Sequence, residues 1–346
     1  MAWTLLVTVL SACVLAVFVR PTPRHSGLNQ FEQSKFIDMV EGTAYKPFVY
    51  RALLPTGVRL VRVVTPTAIQ HSLADFVDNH DFTRGAFDTL KWETHMAYSY
   101  LIACVLMYLS FVVFAYYVMK LVIFVSETLQ DNALTRLIIS GLALLGLPAF
   151  FWYVSYLYDP PQLALFTASL YFLARREMST FLLFFTLTCI NKETAVLLIP
   201  IYAVTCNDQH PRRRYLSYLL AMVVIFGIIK LFITLAYRDN PGSFVAFHQF
   251  RHNAEWLMEG WSLSDIATFC LVIFLLVYRW KQKPYFLKAG FLCTMIPLFV
   301  LAIFLGYIDE WRGYYEAYPL AVGLILDSFQ RLKVAIEHRD LSTTNK

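Results

Sequence analysis

Apolar runs long enough to cross a bilayer alternate with short polar segments along most of the 346-residue chain. Ala2 to Val19 is the first. At about 1.5 Å per residue it spans a hydrocarbon core, and it lacks the positive start and small-residue cleavage site of a removable signal. Ala97 to Val125 and Leu137 to Tyr158 follow as the second and third. Asp159-Pro160-Pro161 opens a shorter apolar stretch, Gln162 to Ala174, which Arg175-Arg176 closes. Tyr215 to Tyr237, Leu263 to Tyr278, Ala289 to Tyr307, and Glu316 to Leu326 with its flanks bring the total to about eight transmembrane helices. The pattern predicts an all-α polytopic membrane protein, one membrane domain over residues 1–346.

Met178 to Thr205 breaks this regularity. As a single span it would carry Asn191, Lys192 and Glu193 at the bilayer centre, where each ionised group costs about 2.5 to 3.5 kcal/mol. It would also put Arg175-Arg176 and Arg212-Arg213-Arg214 on opposite sides, although short basic loops favour the cytoplasm. Two half-length helices, Met178 to Ile190 and Thr194 to Val204, meeting at Asn191-Lys192-Glu193 and returning to the starting side, resolve both conflicts. Such a re-entrant hairpin is allowed where protein or a water-filled cavity surrounds its tip. With it, residues 20–96 form an external loop and both termini are cytoplasmic, which reads as a multi-pass protein of the inner (plasma) membrane. Arg279, Lys281, Lys283 and Lys288 then fall inside, as does the tail with Arg331, Lys333 and Arg339. Arg20 and Arg24 point to the opposite orientation, but a long loop weakens their influence.

Composition agrees with the pattern: 58% of residues are hydrophobic and 15% charged, and mean hydropathy is +0.54. The net charge of +5 sits mostly in short loops and argues against a nucleic-acid partner. Six cysteines without CxxC pairing indicate neither a disulfide framework nor a structural zinc site.

The external loop holds the densest candidate chemistry, from Phe36 to Val64. If Phe36 to Glu41 is helical, Asp38 and Glu41 share one face, positioned to share a proton, a cation or a hydroxyl. At about 100° per residue, Arg51, Arg59 and Arg62 fall on one edge of a helical wheel opposite Leu53, Leu54, Leu60, Val61 and Val64. Pro55 sets the start of that helix, which leaves Arg51 just outside it. An apolar face with an arginine edge is what an interfacial helix that grips lipid phosphates requires, with a substrate site as the alternative. In the predicted orientation Asp159, the intramembrane pair Lys192-Glu193, and Asp309-Glu310-Trp311-Arg312 gather on the same external side. Asp159 as a helix cap and Glu310 with Arg312 as a solvated turn are the structural alternatives.

A first external loop with carboxylates, the segment PFVYRALLP (47–55), the broken helix CINKETAVLLIP (189–200) and the late turn DEWRGYYEAYPL (309–320) resemble bacterial multi-spanning GT-C glycosyltransferases. The resemblance covers most of the chain. It implies transfer of a sugar from a polyprenyl-phosphate carrier to a lipid-linked glycan, polymer or protein on the external face. It also implies an acidic residue of the first external loop as base or metal ligand, a position that maps onto Asp38, with Glu41 second. Arginine forks suit the departing phosphate because they stay protonated and bind it in a bidentate way. Arg51, Arg59 and Arg312 are the candidates, with Lys192 as a point charge, and Glu41 could orient Asp38 or share a divalent cation with it. Asp159, Glu193 and Glu310 complete the set of substrate-binding candidates. His248, His252 and Glu255 align on one helical face as zinc ligands can, but Gln249 replaces the general base of HExxH and an aromatic interfacial helix accounts for the segment. The aromatic cluster Phe150 to Tyr158 reads as an interfacial belt. A transporter or flippase for a lipid-linked or anionic substrate is the competing class, although carriers usually show matching breaks in two repeats and here there is one. A non-catalytic membrane subunit is the third.

Overall fold

The computed structural model describes residues 1–22, 25, 27–29, 31–151, 153–207, 211–243, 249–259 and 261–344. These residues are predominantly helical and contain no β-strand. The chain opens with α1 (Ala2–Val19), and its long loop carries α2 (Phe36–Glu41), α3 (Leu53–Val64), α4 (Thr67–Asn79) and α5 (Asp81–Leu90). The bundle continues through α6 (Ala97–Val125), α7 (Ala133–Leu145), α8 (Asp159–Ala174), α9 (Met178–Asn191), α10 (Leu198–Thr205) and α11 (Arg212–Ala236). It ends with α12 (Phe250–Met258), α13 (Leu263–Val277), α14 (Tyr285–Leu305) and α15 (Tyr318–Thr344).

Among the described residues, α1, α6, α7 with its 3-10 extension to Phe150, α11 and α14 are long and apolar enough to cross a membrane. Together α12 and α13 make a sixth if they count as one bent span. The predicted third span ends early. Gly146 and Pro148 interrupt α7, and Tyr318 donates to the carbonyl of Ala143 at 2.7 Å, so the end of the helix is satisfied from α15. Phe151 and residues 153–158 lie outside helix and supply part of the site.

At sixteen residues α8 is short for a span, yet nearly every residue of it is buried against α6 and α9. That explains why it is apolar all round rather than on one face. One hydrophobic cluster joins α1, α6, α7 and the long loop through Phe18, Phe36, Tyr100, Phe111 and Tyr158. A second joins α8 to α11, α14 and α15 through Phe166, Phe181, Phe185, Tyr202 and Leu320.

The segment after α8 breaks where the sequence predicts. Lys192 is extended (φ −156°, ψ 146°), and a 3-10 turn, Glu193–Leu197, leads into α10. Asn191 and Lys192 turn their side chains to tertiary partners. At the other end, Thr205 and Cys206 line one cavity of about 260 Å³ with Ala174 and Arg176, so the segment finishes beside its own start.

Candidate functional site

Arg51 follows a 3-10 turn, Phe48–Tyr50, that holds it outside α3. Its guanidinium reaches both carboxylate oxygens of Glu193, at 2.7 and 3.4 Å, and donates to the Tyr158 hydroxyl. Phe48, Tyr156 and Tyr158 form a stack, Tyr156 lying 5.2 Å by ring centroids from each neighbour. Arg51 lies 4.5 Å over Tyr158, and Arg312 lies 4.0 Å over Tyr156 on the same stack. The aromatic segment read as an interfacial belt therefore supplies the platform for two arginines, a contact worth about 0.5 to 2 kcal/mol for each cation.

Arg312 donates to Glu310 at 2.7 Å through Nε and lies 3.6 Å from Asp159, which is buried. Burial disfavours both guanidinium charges, but Glu193 and Tyr158 at Arg51, and Glu310 and Tyr156 at Arg312, outweigh it and hold both above the ordinary arginine value. Asp159 accepts from the backbone of Tyr156 at 3.4 Å, so it orders the aromatic loop and does not cap α8 with its side chain.

Beneath the arginines is a buried polar network. Asn191 donates to the Tyr158 carbonyl at 2.9 Å and to Gln162 at 3.1 Å. Gln162 donates to Glu316 at 3.2 Å, Thr194 donates to the same carboxylate oxygen, and Lys192 lies 3.4 Å from it. Asp159 Oδ1, Asn191 Oδ1 and Glu316 Oε2 are buried without a hydrogen-bond partner, three acceptors facing no donor. Buried acceptors of this kind are normally satisfied by water, a proton or a bound group. Lys230 of α11 is half-buried, and its buried amine has no hydrogen-bond partner.

The structure thus brings together Arg51, Asp159, Lys192, Glu193, Glu310 and Arg312 and adds Tyr156, Tyr158, Gln162 and Glu316, which the sequence reading missed. The available signal for Gln162 and Glu316 was their polarity in otherwise apolar stretches. Tyr156 and Tyr158 gave none beyond aromatic content.

Asp38, Glu41 and Arg59 form a separate group. Gly42 ends α2 at φ +78°, a left-handed conformation that suits glycine, and a Cβ there would stand 2.7 Å from the Arg59 guanidinium. Arg59 donates to the Val40 carbonyl at 2.6 Å, and Arg62 pairs with Glu41 at 2.6 Å. The Arg62 hydrogen bond holds the Glu41 carboxyl below its usual range, against partial burial. Asp38 is half-buried and accepts from Thr43 at 3.3 Å. Asp38 and Glu41 share no hydrogen bond with each other, nor with Arg51, Lys192 or Arg312. Although α2 puts them three residues apart, the Glu41 carboxylate is engaged by Arg62. Among the described residues no group of three or more His, Cys, Asp or Glu side chains could hold a metal. His248 lies outside the described residues, and His252 pairs with Asp309 at 3.0 Å.

Two apolar grooves flank the arginine cluster. One, about 490 Å³, begins at Leu53, Leu54 and Pro161, next to Arg51 and Asp159, and runs along α6 to Phe184. The other, about 1310 Å³, runs between α13 and α14 and is lined by Trp256, Trp261, Phe269, Met295 and Trp311. The turn 309–312 divides cluster from groove: Asp309 and Trp311 line the larger groove, and Glu310 and Arg312 face the cluster. Comparison with protein-family models, curated proteins and solved structures finds no match to this chain.

Proposed function

We propose that this chain is a membrane glycosyltransferase of the GT-C kind, moving a sugar from a polyprenyl-phosphate-linked donor to a lipid-linked glycan, polymer or protein acceptor on the external face. The observation that carries this reading is a buried charged cluster flanked by two apolar grooves. An isoprenoid-type tail suits a groove, and the phosphate it carries suits the forks of Arg51 and Arg312. Glu193 is 43% exposed on its side chain, so a phosphate can approach Arg51 by displacing that carboxylate rather than by opening a sealed pair. Lys192, Asp159, Glu310 and Arg59 keep their proposed binding roles, and Asp38 and Glu41 remain the acidic residues that the resemblance implies as base or metal ligand.

The matching topology is about eight spans and a re-entrant Met178–Thr205 segment, in an inner membrane with both termini inside. Its support is that Arg176 and Cys206 line one cavity while Lys192 and Glu193 join the cluster. A carrier for the same amphipathic anion is the second reading, favoured by the two guanidinium forks on one aromatic stack, which bind a phosphate whether or not it reacts.

The test compares surface glycans and lipid-linked intermediates by mass spectrometry in cells with the wild-type protein, no protein, and Arg51→Lys at matched membrane abundance. Lysine keeps the charge but loses the fork. Loss of one sugar from the glycans in both altered strains, with its lipid-linked donor accumulating, is the expected result. Unchanged glycans in the deletion strain sink the transferase.

A further inference from the structure

We infer that the larger groove is a binding site for a lipid whose head group is uncharged and rich in hydroxyls, a sugar on a hydrocarbon tail. The inference goes beyond the transferase reading and does not depend on it, because it names a ligand and not a reaction.

The groove follows from how three helices pack. Helices α13 and α14 each lie against α15 rather than closely against each other, and the space they leave is about 1310 Å³. On α13 the lining residues Asp265, Phe269, Val272, Ile273 and Leu276 recur at helical spacing and form one face. Phe291, Leu292 and Met295 line it from α14. From Asp265 to Val277 that face runs about 18 Å at about 1.5 Å per residue. One leaflet contributes roughly 15 Å of hydrocarbon, so the groove takes a tail lying within a single leaflet.

The carboxylates are confined to one end, where Glu259, Asp265 and Asp309 line the groove with Trp256, Trp261 and Trp311. Asn253 builds this end. It is buried and donates to the carbonyls of Ala302 (3.2 Å), Ile303 (3.3 Å) and Gly306 (3.0 Å) at the end of α14, and its own carbonyl accepts from the backbone of Ile308 at 3.0 Å. One side chain thereby satisfies the open end of α14 and fastens α12 beside it, with Trp256 one turn further on. Trp256 packs on Trp261 with ring centroids 4.8 Å apart, and Trp261 meets Phe269 edge-on at 5.5 Å. An aromatic wall therefore leads from the mouth to the apolar floor.

Charge decides the head group. No lysine or arginine is among the described residues that line the groove, so a phosphate there would meet three carboxylates and no cation. The N-terminus of α13, which could otherwise hold an anion, is closed by its own capping box: Ser262 donates to Asp265 at 2.5 Å and accepts from its backbone amide at 3.2 Å. Asp309 is nearly buried and is held in place by His252 Nε2 at 3.0 Å and by the Tyr153 hydroxyl. Glu259 is exposed, and no donor among the described residues claims its carboxylate. Trp311 is 46% exposed, which leaves indole surface uncovered at the mouth. Sugar hydroxyls donate to carboxylates, and the negative face of an indole receives the C–H face of a sugar ring. An ammonium head also suits carboxylates and indoles. It is small, however, and a cavity larger than the about 300 to 1,000 Å³ of drug-sized ligands calls for a bulkier group.

The test uses full-length protein in an uncharged, sugar-free detergent, with bound lipid counted by native mass spectrometry. The probes are a diglucosyl diacylglycerol, a phosphatidylglycerol and a dialkyl-dimethylammonium lipid with matched chains. Wild-type protein should bind the diglucosyl lipid about tenfold more tightly than either of the others. Met295→Trp, which fills the floor, should weaken that binding about tenfold, and Trp256→Ala about three- to tenfold. Leu220→Trp, on an exposed face of α11, should leave it unchanged. Glu259→Lys should shift the preference towards phosphatidylglycerol. Equal binding of the three lipids by wild-type protein means that ordinary bilayer lipid fills the groove and overturns the inference. Tightest binding of the ammonium lipid or of phosphatidylglycerol overturns it too, and these outcomes need no variant to fold. Full binding by a folded Met295→Trp protein overturns the location.

Discussion

Lys192 and Glu316 are 7% and 0% exposed on their side chains and 3.4 Å apart, one on the broken segment and the other in the turn that leads into α15. At an effective dielectric constant of about 20, charges at that distance attract by about 5 kcal/mol, most of which offsets their desolvation. Lys192→Met removes the cation and leaves a fully buried carboxylate with only Thr194 and Gln162 as donors. Removing one partner of such a pair costs about 3 to 5 kcal/mol. Glu316→Gln costs less, since an amide can still accept from Thr194. The double variant Lys192→Met/Glu316→Gln carries no buried charge here and should recover most of the loss. The assay is thermal unfolding in detergent, followed by fluorescence-detected size exclusion, as a double-mutant cycle. Lys192→Met should lower the midpoint by on the order of 10 °C, and the double variant should regain more than half of that. A Lys192→Met midpoint within about 2 °C of wild type would show that the pair does not hold the broken segment to α15. Strictly additive losses would show that the two charges are not coupled.

The Glu41–Arg62 pair makes stability fall in acid. The folded-state value of Glu41 lies below its ordinary 4.5, so the contribution is full above that pH and is lost as pH falls through the lowered value. Its side chain is 41% exposed, which limits the effect to about 1 kcal/mol or less, and Glu41→Gln should abolish that part of the acid dependence in melting curves. Asn253→Ala should cost about 2 kcal/mol locally and speed hydrogen exchange at Ile308, while exchange in α6 stays unchanged. A cysteine placed at position 210 should be labelled by an impermeant reagent only from the side that holds the termini, and external labelling there rules out the re-entrant arrangement.

The apolar runs make the helical, membrane-embedded character legible in the sequence, because in a bilayer each helix must satisfy its own backbone. The break at Lys192 is legible for the same reason: charges in the middle of an apolar run cannot be left facing lipid. Arg51 falls just outside α3 as expected, although the helix starts at Leu53, two residues before Pro55, and the 3-10 turn Phe48–Tyr50 is what holds it out. By contrast, Leu137 to Tyr158 reads as one span only while Tyr318, some 175 residues away, is ignored. The pairing of Arg51 with Glu193 joins residues 142 positions apart, and nothing in either segment specifies the other. Periodicity puts Asp38 and Glu41 on one helical face, but it cannot say that Arg62 claims one of them. Tyr156 and Tyr158 look like any interfacial aromatics until two guanidiniums are found on their faces. Sequence alone determined that most apolar runs are helical and that Lys192 and Glu193 are out of place in one of them, since those are local consequences of hydrophobicity and backbone hydrogen bonding. Only the tertiary structure decided which of those residues meet, because long-range pairing is set by how α8, the broken segment and α15 pack together, and packing is a property of the whole chain.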